Sequence, residues 1–235
     1  MSFKEKILKI NSAPNDNIYS LWMGGKLSEL EIMSINSFLD KGHKYILYAY
    51  EYLKNVPEEV EVRDANKILS YDNFKVVKKN ASHPYLYCTF SNWFRYKMLY
   101  EHGGWWVDLD VICLRKFDFE YAYVFSGYNK KGIYGNNFAN TCVIKSPDSS
   151  LLFESLIDMC EKTKGAGPFS SNGISSFYYY IRCYGLINSI MPCDTFEPPL
   201  DINKINKDKT YAIHLQNHAL SEKKMIEMKN ILNNI

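Results

Sequence analysis

Apolar positions along this chain recur with two periods, and the changes between them mark its elements. NIYSLWMGG, residues 17 to 25, is an apolar and aromatic run halted by two glycines, which predicts a buried strand running into a loop. LSELEIMSINSFLD, 27 to 40, follows with Leu27, Leu30, Ile32, Ile35, Phe38 and Leu39 near helical spacing and Ser28 placed as a cap. KYILYAY, 44 to 50, and FKVVKK, 74 to 79, read as further strands. SNWFRYKMLYEHGG, 91 to 104, reads as a helix capped by Ser91 and ended at Gly103, with Asn92 and Arg95 on one face.

The second half continues in the same way. YAYVFSGY, 121 to 128, and NTCVIKS, 140 to 146, predict strands, and SSLLFESLIDMCEK, 149 to 162, an amphipathic helix capped by Asp148 or Ser149. GAGPFSSNG, 165 to 173, is a glycine-rich loop before a tyrosine-rich helix through Tyr180. KTYAIHLQNHAL, 209 to 220, reads as a last short strand and loop, and a closing helix is expected at about 221–233. Strands alternating with helices predict an α/β fold with a mostly parallel central sheet. No repeat or low-complexity linker divides residues 1–235, which read as a single domain.

Composition removes several classes of function. Lys plus Arg number 28 against 26 Asp plus Glu, and a net charge of +2 leaves no electrostatic footprint for nucleic acid. Aromatic residues make up 15%, enough to supply rings that stack on sugars or bases as well as a core. The six cysteines contain no C-x-x-C pair, which argues against a zinc ribbon. The first residues lack the apolar region of a signal peptide, and no run of about 18 apolar residues occurs to span a bilayer. The expected location is cytoplasmic.

Chemistry concentrates in GGWWVDLDVICL, residues 103 to 114. In an extended segment Asp108 and Asp110 would project to one face while Leu109 and Val111 face the other. Two carboxylates held together repel, and a hard divalent cation between them removes the cost. An isolated D-x-D is more often a solvated turn, but this one leaves an apolar run in which unpaired carboxylates would be expensive. DLDVI also loosely resembles the D-x-D-x-[TV] motif of haloacid dehalogenase-type phosphatases. Those enzymes need a later acidic pair for Mg²⁺, and no adjacent acidic pair follows residue 150.

The longer run SNWFRYKMLYEHGGWWVDLDVICL resembles the sugar-binding region of D-x-D glycosyltransferases. The family is that of capsular polysaccharide, α-mannosyl and α-galactosyl transferases, glycosyltransferase family 32-like, and more distantly the glucosylating clostridial toxins. Its pattern of S-D-x-x-R, Y-x-x-G-G, an aromatic and D-x-D is met by Ser91, Asn92, Arg95, Tyr100, Gly103, Gly104, Trp106, Asp108 and Asp110. IYSLWMGG is similar to the family's opening strand and YAIHLQNHAL to its closing segment, which maps the family tryptophan onto Trp22 and the family histidine onto His214. Asn92 stands where the family usually has Asp, and Gln216 where an aromatic is common, with His218 a partial substitute.

The resemblance implies a GT-A type, Rossmann-like fold and a nucleotide-sugar donor, UDP-linked by expectation. It also implies Mn²⁺ or Mg²⁺, retention at the anomeric carbon, and a glycan or lipid-linked glycan acceptor of the bacterial surface. Asp110 would ligate the metal with His214 or His218, and Asp108 would meet the ribose or donor sugar. Arg95 would reach the sugar and phosphate, Trp22 would stack on the base, and Asn92, Gly104 and Trp106 would complete the donor side. Three of these residues also have a structural alternative. Arg95 could pair with Glu101 or another carboxylate, Trp22 could pack in the core, and His214 could be a hydrogen-bonded core histidine. The closing helix, with Met225, Met228, Ile231, Leu232 and Ile235 beside Lys223, Lys224 and Lys229, would pack on the core or touch an anionic membrane at the inner face. A non-catalytic carbohydrate-binding domain of the same fold is the alternative from another class.

Overall fold

The structure, a computed structural model, describes residues 15–81, 84–128, 138–168, 171–199, 205–206 and 208–216. His218 and the helix expected at 221–233 lie outside these residues. Strand β1 is Ile18–Trp22 and β2 is Tyr45–Ala49, paired in parallel through Ile18 and Tyr45. Helix α1, Glu29–Leu39, crosses between them. The Ser28 hydroxyl accepts from the Leu30 amide at 3.2 Å and the Glu31 carboxylate from the Ser28 amide at 2.6 Å, a capping box that fixes where the helix begins.

Beyond β2 the chain departs from expectation. Glu61–Asp64 forms β3, an edge strand whose short polar sequence carries no apolar signal. FKVVKK lies in a helix, α2, Asp72–Asn80, where a strand was expected. Phe74 and Val77, three residues apart, are its buried residues, while Lys75, Val76, Lys78 and Lys79 face out, a spacing that only a helix satisfies. Helix α3, Leu86–His102, starts five residues before Ser91, so Ser91 lies inside the helix and does not cap it. Gly103 and Gly104 follow with φ of +62° and +83°. A Cβ on Gly103 would stand 2.6 Å from the Asp148 amide nitrogen, so this reversal admits glycine alone.

The remaining elements are β4, Gly104–Val107; β5, Val111–Cys113; β6, Val124–Tyr128; β7, Phe138–Ser146; α4, Leu151–Thr163; α5, Ile174–Cys183; the short α6, Cys193–Phe196; and β8, Ala212–His214. The residue flanking α4 is Ser150, whereas Ser149 sits outside at φ +51° and Asp148 precedes it. The main sheet has the order β3-β2-β1-β4-β7-β6, with the first four strands parallel, β7 antiparallel to β4, and β6 antiparallel to β7. β5 and β8 form a separate antiparallel ribbon that sets Val111 opposite His214.

The period-2 alternation of the strands divides the core. Tyr19, Ile46, Tyr48, Trp106, Phe125 and Ile144 join residues of α2, α3, α4 and α5 in one buried cluster. Ile18, Tyr45, Leu47, Trp105, Val107 and Val143 join Ile35 and Phe38 of α1 in the other. β1 leads by way of α1 to β2 on one side, and β4 lies on the other. The strand order reverses between them, and a crevice opens at their carboxyl ends.

Candidate functional site

At that crevice β4 stops at Val107, and Asp108, Leu109 and Asp110 form a turn closed by the Val111 amide donating to the Asp108 carbonyl at 3.1 Å. The two aspartates therefore do not share an extended strand, as the i, i+2 spacing had suggested. The turn brings them together instead. Both border a cavity of about 440 Å³ lined by Leu21 to Met23 of the β1 end, Trp106 and Val107 of β4, and one face of α3. That face is Tyr87, Ser91 and Arg95 at i, i+4 and i+8, with Cys88 beside them. Tyr87 and Cys88 escaped sequence reasoning because α3 begins earlier than Ser91.

Arg95 is enclosed and its donors are engaged. Its Nη1 donates to the Thr141 carbonyl, its Nη2 to the Ser91 hydroxyl at 3.2 Å, and Nη2 also meets Asp108 Oδ1 at 3.1 Å. The carboxylate that Arg95 pairs with is thus Asp108 itself, not Glu101. The guanidinium lies 4.8 Å from the centre of the Trp106 ring, whose Nε1 donates to the same Asp108 oxygen at 2.8 Å. Asp108 lines the cavity and keeps 27% of its side-chain surface open. Burial raises its pKa, Arg95 pulls against that, and the neighbouring Asp110 charge adds to it.

His214 arrives from β8 through the ribbon pairing with Val111. Its Nε2 lies 3.4 Å from Asp110 Oδ1, and its Nδ1 3.6 Å from Glu197 Oε1. Burial alone would lower the imidazole pKa, but Cys142, Asp110 and Glu197 around the ring outweigh it and raise the pKa well above the usual value. Ligand atoms of Asp108, Asp110 and His214 all lie within 4.8 Å of one another, a set of two hard oxygen donors and one imidazole that fits a divalent cation. Glu197 was not foreseen. A single glutamate in FEPPL carries no motif, and only the fold shows that its side chain is 4% exposed.

The other expected residues divide. Trp22 lines the cavity and also packs against the second core cluster. Its Nε1 donates to the Lys26 carbonyl at 3.1 Å, and a Cβ on Gly24 would come 3.2 Å from that nitrogen. Trp106 lines the cavity. Asn92 is buried and is not among the lining residues, since the cavity face of α3 runs through 87, 91 and 95, one helical step away. Gly104 begins β4 against Tyr19 and the Asn17 carbonyl, at the opposite end of that strand from Asp108.

Residues 5–126 match the family described as the glycosyltransferase sugar-binding region containing a DXD motif. Among solved structures, one titled PaToxG Glycosyltransferase is similar over 97% of this chain and 89% of its own, at 15% identity and a TM-score of 0.55. Another, titled Structure of Transferase, aligns over 71% of this chain and 84% of its own at 10% identity and a TM-score of 0.45. The first shows the same α/β fold. No curated protein matches the chain. Among the described residues no helix is long and apolar enough to cross a membrane.

Proposed function

Since the chain belongs to the family of glycosyltransferase sugar-binding regions containing the DXD motif, we propose that it moves a sugar from a UDP-linked donor to a glycan acceptor with the help of a divalent cation. The observation that carries this reading is the convergence of Trp22, Arg95, Asp108 and Asp110 on one cavity at the carboxyl ends of β1 and β4, with His214 beside the aspartates. Retention at the anomeric carbon and an acceptor of the bacterial surface belong to the same reading through the family resemblance.

Asp110 and His214 would hold the cation, with Asp108 beside them. The mixed carboxylate and imidazole set favours Mn²⁺ over Mg²⁺, which prefers oxygen ligands throughout. A bound divalent cation stabilises the charge that grows on the diphosphate as the bond to the sugar breaks. Asp108 Oδ1 is occupied by Arg95 and Trp106, which leaves its other oxygen to face the cation or a donor hydroxyl. Arg95 acts by keeping that carboxylate in place, since its own donors are spent on Ser91, Thr141 and Asp108. Trp22 offers a flat ring to the base, its edge pinned by Lys26.

Calorimetric titration with UDP, with and without Mn²⁺, tests the reading. UDP should bind only with the cation present, and Trp22→Ala should weaken binding by about 1 to 3 kcal/mol through lost stacking. Failure of UDP and GDP alike to bind in saturating Mn²⁺ would refute it. A Trp22→Ala protein that melts much earlier yet binds UDP normally would assign this ring to packing alone.

A further inference from the structure

Glu197 follows α6 with a side chain 4% exposed, and no part of the proposed transfer uses it. Its Oε1 accepts from the Ser126 hydroxyl at 3.2 Å, the Cys142 thiol at 3.1 Å and the Asn140 amide. The Gln216 amide approaches Oε2 at 3.5 Å. Every one of these neighbours offers a hydrogen, so the carboxyl stands as an acceptor held from β6, β7 and the segment after β8. His214 Nδ1 faces the same Oε1 at 3.6 Å and is buried without a hydrogen-bond partner among the described residues. On the far side of the ring Nε2 faces Asp110.

We propose that Glu197 is a positioning residue that keeps the His214 ring proton on Nδ1 and so turns the Nε2 lone pair toward a cation shared with Asp110. A neutral imidazole carries one ring proton, and a fixed acceptor beside one nitrogen decides which nitrogen keeps it. Atoms of Cys142, Glu197 and His214 also lie within 4.8 Å of one another, the spacing of a second cation site. The Cys142 thiol donates to Oε1 at 3.1 Å and so carries its hydrogen there, which leaves the sulfur a poor ligand for a cation. The cluster supports the histidine and binds no ion of its own.

This inference rests on Asp110 and His214 as cation ligands, and its test separates the two claims. Binding of Mn²⁺ alone, followed by loss of the free-ion EPR signal, is measured on the wild type, Glu197→Gln, His214→Ala and the double variant. Glu197→Gln should weaken Mn²⁺ binding by about 10- to 100-fold. The double variant should bind no more weakly than His214→Ala, because Glu197 acts only through the ring it orients. Wild-type affinity in Glu197→Gln, or losses that multiply in the double variant, would overturn the proposal. Where Glu197→Gln does not fold, Glu197→Asp enters the same cycle with a shorter carboxylate and the same two criteria. A wild type that binds no Mn²⁺ would overturn the cation reading underneath, an outcome distinct from one in which wild type and Glu197→Gln bind equally.

Discussion

Asp108 Oδ1 receives Arg95 Nη2 at 3.1 Å and Trp106 Nε1 at 2.8 Å, and this small network decides how the first aspartate of the motif is held. Removing the cation of an enclosed pair leaves a carboxylate without compensation. Arg95→Met should therefore lower unfolding stability by about 3 kcal/mol in a urea titration. Asp108→Asn in the same background should restore part of that loss, since the charge left behind is gone. An Arg95→Met midpoint equal to wild type would mean that the pair contributes nothing. Arg95, Asp108, Asp110, Trp22 and His214 were named through the resemblance to the D-x-D family, and the fold gathers them around one crevice. Glu197 was not named, because a lone acid becomes part of a site only when β6, β7 and β8 fold around it. Asn92 was misplaced because a three-residue separation limits the angle to Arg95 without saying which side of the helix meets the cavity.

Elements were legible where the apolar period was long and capped, as in α1 with its Ser28 and Glu31 box. FKVVKK failed because two adjacent valines favour a strand locally, while the burial of Phe74 and Val77 under α3 rewards a helix. The aspartates were assigned to a strand because β4 gives no sign in its own residues of ending at Val107. His43, between α1 and β2, offers a test at this scale. Its Nε2 accepts from the Phe117 amide at 3.0 Å, which requires the neutral ring, and burial with help from Lys116 lowers its pKa to about 4. The unfolded chain takes up this proton near pH 6.5 and the folded one only near 4, so stability is lost as pH falls through that interval. Melting temperature should drop over this range, and the drop should be shallower in His43→Gln. Equal slopes for the two proteins would show that folding does not hold His43 neutral.

For the whole molecule, alternation of strands and helices foretold a largely parallel α/β sheet, and the order β3-β2-β1-β4-β7-β6 bears it out with antiparallel β7 beside β4. Strand order itself could not be read, since nothing local says that β4 inserts beside β1. That neighbourhood creates the crevice, and with it the meeting of Trp22 from one strand end with Asp108 and Asp110 from the other. A binding module and an enzyme could share this arrangement, and turnover separates them. The direct measurement is release of nucleoside diphosphate from a panel of UDP- and GDP-sugars, with Mn²⁺ and with chelator, by the wild type and by Asp110→Ala. At least one donor should release its diphosphate only when Mn²⁺ is present, and Asp110→Ala should lower that rate by at least about 100-fold while melting like the wild type. Release that persists in chelator, or a folded Asp110→Ala that works at the wild-type rate, would contradict a cation-assisted transfer at this site.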